Sequence, residues 1–183
     1  MKSMQSTKKL TIMGVMAALS IILIYAIRFP IIPAAPYLEY EPGDIPLYTI
    51  AFLFGPLSGL IVTIVVSFIQ GMTVSASSGI IGILMHIFAT GSFVLVAGNI
   101  YRVKKTRFQE GIALFAGIGV MTVTMCLWNI IFTPIFMGVP RDAVIQLLLP
   151  AIIPFNLIKA GINSVLTFLV YETIARIIRK TDK

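Results

Sequence analysis

Apolar residues run through this chain in long blocks rather than in alternation, and short polar stretches separate the blocks. Read in order, they predict helical spans over 9–27, 45–55, 57–72, 79–101, 111–134 and 151–177. About 20 apolar residues carry a helix across a bilayer, so the second of the six is too short to cross alone. Gly55-Pro56 breaks the run between the second and third spans, which fits a tight turn between two helices or a kink in one. No internal repeat or low-complexity tract interrupts the series.

Composition closes off the soluble alternative. Of 183 residues, 58% are hydrophobic and 11% charged, against roughly 45–50% and about 25% in soluble domains. The expected fold is all-α: an integral six-helix membrane bundle forming a single substrate-binding domain over residues 1–183 of a multi-pass cell-membrane protein. The basic-then-apolar opening reads as a retained first span, because its apolar run is too long for a signal peptide and no small-residue cleavage site follows. Cys126 is the one cysteine and lies in an apolar run, which excludes a disulfide framework and a cysteine metal site.

The formal charge of +7 is distributed by topology. Lys2, Lys8 and Lys9 precede the first span, Arg102, Lys104, Lys105 and Arg107 separate the fourth and fifth, and Arg176, Arg179, Lys180 and Lys183 close the chain. With six spans all three clusters fall on one side, so both termini are expected in the cytoplasm. Basic residues that flank apolar segments without striping a face with aromatics also argue against a nucleic-acid partner.

Polar side chains inside the spans carry the candidate chemistry, since each costs a few kcal/mol to insert and faces the bundle interior by default. They are Gln70, His86, Asn129, Asn156, Lys159 and Asn163. Counting from the span ends places them in the outer half, drawn from four spans, as a site open to the outside requires. Asn156, Lys159 and Asn163 share one helical face through their i, i+3, i+7 spacing. Lys159 is the strongest signal, and its competing account is a structural ion pair within the bundle. For the asparagines that account is interhelical hydrogen bonding. His86, a lone histidine without neighbouring carboxylates in the sequence, makes no metal site, and Trp128 fits either ring stacking on a flat solute or an interfacial aromatic belt.

The stretch 28–46 holds five of the ten prolines together with Tyr37, Tyr40 and three acids, and it reads as a preformed lid, with Tyr40 its aromatic candidate. The segment 71–79 is small and flexible enough for a moving gate. In the first span Gly14 and Ala18 form a small-xxx-small patch, which serves a partner helix or internal packing equally well. No P-loop motif occurs, so active uptake would depend on partner ATPases. An intramembrane enzyme lacks paired acids within a span, His-Glu-x-x-His and Gly-x-Ser-x-Gly. A purely structural membrane subunit is the third class, in which the polar residues would serve stability alone.

The segments FPIIPAAPYLEYEPGDIP at 29–46, FGPLSG at 54–59 and IIPFNLIKAGINS at 152–164, with the basic loop IYRVKKT at 100–106, resemble the substrate-binding S components of energy-coupling factor (ECF) vitamin transporters, most closely their riboflavin-specific branch. The resemblance implies a subunit that binds a vitamin from outside and associates with a transmembrane coupling protein and two ATPases. It carries ligand-holding roles to Asn156 and Lys159, a matching polar position to Asn129, and coupling-protein contact to Gly14 and Ala18. It implies no cofactor beyond riboflavin or a similar vitamin as cargo. Riboflavin branches usually carry a Lys-Asn pair near the end of the third span, where this chain has Ser67-Phe68, so a related vitamin or another flat heterocycle is the alternative occupant.

Overall fold

The computed structural model describes residues 2–180, with side chains described for 7–178. Its helices are α1 (Lys2–Ala26), α2 (Asp44–Phe54), α3 (Pro56–Met72), α4 (Gly79–Lys104), α5 (Arg107–Met137), α6 (Arg141–Leu147) and α7 (Ile153–Lys180). Among the described residues, four helical stretches are long and apolar enough to cross a membrane: Thr7–Ala26, Ala76–Lys104, Arg107–Met137 and Arg141–Ile178. At 1.5 Å per residue, α2 and α3 each fall short of a hydrocarbon core of about 30 Å.

Gly55 resolves the break between those two as a turn, not a kink. Its φ of 93° lies in the region that favours glycine, its N–H donates to Ala51 O, and Pro56 opens α3 at a position where no N–H is needed. The rest of the FGPLSG segment is explained by close approach. A Cβ on Gly59 would sit 2.8 Å from the Ala51 Cβ, and one on Gly98 of α4 would sit 3.0 Å from Pro56 Cα, so α2, α3 and α4 meet backbone to backbone.

The core fills the space between these helices. Tyr48 of α2 and Phe93 of α4 stack with centroids 3.7 Å apart, and Gly117 of α5 leaves room for the Phe93 ring. Nearer the basic end, Phe52, Tyr101 and Tyr171 form an aromatic trio from α2, α4 and α7, in which Tyr171 meets both other rings edge-on while Phe52 and Tyr101 are tilted. At that end Lys8 Nζ donates to Ile178 O, Lys9 lies over the Phe54 ring, and Arg107 pairs with Glu172. The start of α1, the α2–α3 turn, the start of α5 and the end of α7 therefore gather at one end.

The opposite end is more built up than the span pattern predicts. The 28–46 stretch forms a two-residue antiparallel ladder, Phe29↔Tyr40 and Pro30↔Glu39, and buries Ala35 and Leu38 against Val144, Ala151, Ile152 and Phe155. α5 continues past Pro134 to Met137 and stops at Gly138, whose φ is 65°. The short α6 and a π-helical turn at Leu148–Ile152 then lead into α7. Sequence periodicity misses this part because prolines, a glycine and charges are interleaved with its apolar residues. The expected gate at 71–79 contains a one-turn 3₁₀ helix, Ala76–Ser78, and is tied back by Thr73 and Ser75 N–H bonds to Gln70 O.

Candidate solute site

A cavity opens beneath the 28–46 loop, with walls from α3, α4, α5 and α7. Its volume is about 160 Å³, an order of magnitude above the roughly 10–15 Å³ that one water needs. Its wall is mixed: Leu38, Ile83, Met85, Met125 and Phe155 supply apolar surface, while Glu41, Gln70, His86, Asn156 and Lys159 supply polar groups. Such a lining suits a flat, partly polar organic solute.

Lys159 leads into the centre of this site. Its Nζ donates to Glu41 Oε1 at 3.1 Å with both side chains more than nine-tenths buried, so the ammonium faces the cavity and an ion pair at once. Burial alone would raise the Glu41 carboxyl; the Lys159 and His86 charges outweigh it and hold it below the ordinary carboxylate value. Gln70 steadies the same carboxylate by donating from Nε2 to both oxygens at 3.0 Å. Asn156 lines the cavity one turn before Lys159, with its Nδ2 held by Ile152 O at 2.7 Å.

A second acid, Asp44, opens α2 and is fully buried. Its position favours a negative charge, because the first-turn N–H groups of a helix have no partners within the helix. Three side chains converge on it: Thr90 Oγ1 at 2.7 Å, Asn163 Nδ2 at 3.2 Å and His86 Nε2 at 3.3 Å. The other ring nitrogen of His86, Nδ1, lies 2.7 Å from Ser67 Oγ. Ser67 donates its own proton to Thr63 O, so Nδ1 is the donor toward it.

The remaining sequence candidates do not line the cavity. Asn163 accepts from Tyr40 Oη at 3.1 Å and donates to Glu41 O at 3.1 Å, which fastens the loop to α7. Asn129 is fully buried, donates to Met125 O and accepts from Thr133 Oγ1, so it orients two residues that line the cavity. Trp128 stacks on Phe88 and Phe132, with centroids 4.1 and 5.0 Å away, and does not line the cavity. Gly14 and Ala18 lie far along α1 with exposed surfaces, and a Cβ on Gly14 would meet nothing within 4 Å. Within the chain, a side chain at Gly14 would therefore have open space beside it.

Sequence reasoning missed Glu41, Asp44 and Ser67 as members of the polar cluster, and Arg28 at its rim. Arg28 bonds Glu39 Oε2 through Nε at 2.6 Å and Val74 O through Nη1 at 2.7 Å. The one available signal was that Glu41 and Asp44 adjoin the short second span.

Comparison with known proteins gives the arrangement a context. Residues 8–171 match the family described as ECF transporter, substrate-specific component. The chain is 28% identical to the riboflavin transporter RibU of Staphylococcus aureus over 97% of this chain and 96% of that protein. It is 24% identical to the riboflavin transporter FmnP of Bacillus subtilis over 90% of each. A solved structure of the S component of a bacterial ECF transporter superposes with a TM-score of 0.80 at 27% identity, covering 94% of this chain and 98% of the other. A helical bundle around a mixed-walled cavity, matched over nearly its whole length, this chain belongs to the family of substrate-specific components of ECF transporters.

Proposed function

We propose that the chain is the solute-capture subunit of an ECF-type uptake system and that its cargo is riboflavin, taken from the outer face into the cavity beneath the 28–46 loop. The observation that carries the reading is the cavity itself: Lys159 and Asn156 present donor groups beside a mostly apolar wall, in a chain similar over nearly its full length to riboflavin transporters. Apolar surface takes the faces of a fused ring, and the polar groups of α7 take its edge oxygens. Asn129, Asn163, Tyr40 and His86 hold the wall and loop in position, and Trp128 supports the α4–α5 contact.

Six crossing segments with both termini in the cytoplasm fit this role, the α2 and α3 pair each crossing with the help of its flanking residues. The gathering of Lys8, Lys9, Arg107 and Ile178 at one end supports that topology. Transport then needs a membrane-embedded coupling protein and two ATPases, and the exposed Gly14 and Ala18 of α1 suit close approach by a partner helix. The chain works by binding and orientation and has no catalytic step of its own.

A second cargo class, another vitamin with a flat heterocycle, is favoured by Ser67, which lines the cavity and bonds His86 where riboflavin branches usually carry Lys-Asn. Titration of the purified protein with riboflavin, read by quenching of flavin fluorescence, separates the two. Saturable one-to-one quenching supports the flavin, and no quenching with tight binding of another vitamin rejects it.

A further inference from the structure

Gln70 stands at the end of α3 with only 7% of its surface exposed, and it lines the cavity. Its amide orientation is fixed by chemistry. Nε2 faces both oxygens of Glu41 at 3.0 Å and Ser75 Oγ at 3.4 Å, and a carboxylate accepts without donating, so the nitrogen has to point there. Oε1 is then buried without a hydrogen-bond partner among the described residues. A buried amide oxygen left unpaired is unfavourable, and Gln70 is among the residues that line the cavity, so a solute donor that reaches Oε1 satisfies it.

We infer that Gln70 determines specificity by accepting a hydrogen bond from an N–H or O–H of the captured solute. Lys159 and Gln70 then divide the reading between them, both anchored on Glu41. Lys159 supplies donors for solute oxygens, and Gln70 requires a solute donor. Tyr37 Oη is also buried and without a hydrogen-bond partner among the described residues, in a residue of the same wall, which agrees with a cavity built for a solute carrying several polar groups. A solute of equal shape but methylated at the donor is rejected at Gln70, because its methyl group leaves the amide oxygen unpaired.

The inference rests on the flavin reading above, and its test keeps the two apart. The full chain in detergent is titrated with three flavins: riboflavin, its ring-N-methylated form, and a flavin with a methyl group in place of the ribityl chain. Gln70→Met, which keeps length and removes the acceptor, is expected to weaken riboflavin binding by about 5- to 100-fold. For one of the two analogues, the one lacking the donor that Gln70 accepts, variant and wild type are expected to bind alike. Gln70→Asn draws the amide back by one methylene and is expected to give the same pattern, so the test survives a poorly folded methionine variant. Equal losses for all three flavins would mean a packing effect through Glu41 and would overturn the inference, as would no loss at all, and both leave the flavin reading standing. Failure of the wild type to bind any flavin rejects that reading and takes the inference with it.

Discussion

Lys159 Nζ and Glu41 Oε1 lie 3.1 Å apart across 118 positions of sequence, so the deepest charged group of α7 is tied to the loop that roofs the cavity. Breaking a buried ion pair by removing one member leaves a charge without compensation, at a cost of about 3–5 kcal/mol. Replacing both members relieves that charge.

This asymmetry separates binding from structure at Lys159. Lys159→Met is expected to lower the apo melting temperature and to weaken solute binding about ten- to a hundredfold. Adding Glu41→Gln is expected to recover most of the melting temperature without recovering affinity. Recovery of both by the double variant would assign Lys159 a structural role alone, as thermal melts and titrations on the three proteins would reveal.

Acid should weaken the same tie with a definite sign. The folded state holds the Glu41 carboxyl below its ordinary value, so the stability this contributes is fully present above about pH 4.3 and is lost as pH falls through the lowered folded value. Apo melting temperatures are expected to decline on that acid limb, and Glu41→Gln is expected to make the limb shallower. An unchanged slope would place the acid sensitivity elsewhere.

The α1 patch can be tested without disturbing the cavity. A Cβ on Gly14 meets nothing within 4 Å, so Gly14→Leu is expected to leave melting temperature and solute affinity unchanged while preventing co-purification with the coupling protein and abolishing uptake. A fall in affinity together with uptake would show that the patch supports the fold.

Close packing of the short helices has the opposite signature. A Cβ on Gly98 lies 3.0 Å from Pro56 Cα, where backbone cannot yield. Gly98→Val is expected to destabilise the protein by about 1–3 kcal/mol, visible as a lower melting temperature with and without solute. Unchanged melting would mean that α3 and α4 can separate at little cost.

The legibility of the site from sequence followed the contrast between a residue and its neighbours. Asn156, Lys159 and Asn163 stand out because each interrupts an apolar run, and their spacing names a shared face. Glu41 and Asp44 carry the same kind of chemistry, yet they adjoin a proline-rich loop where acids read as solvated charges. Their burial comes from tertiary contacts with α3, α4 and α7 that periodicity does not encode. Asn129 looked equivalent to Asn156, and the fold separates them: one lines the cavity, the other orients Met125 and Thr133. The four apolar helices of membrane-crossing length were readable, whereas α6 and the π-helical turn were not, since two turns of helix between Pro140 and Pro150 are too short to show a period.

Arg28 has a kinetic consequence. By holding Glu39 in the loop ladder and the Val74 carbonyl in the α3–α4 connection, it joins the two segments that roof the cavity into one mechanical part. A solute arriving from that end meets a single latch instead of two independent flaps, so capture in stopped flow is expected to show one gating phase whose rate saturates with solute concentration. Removing the latch, as in Arg28→Ala, is expected to uncouple the segments, seen in the same experiment as faster solute entry and faster release.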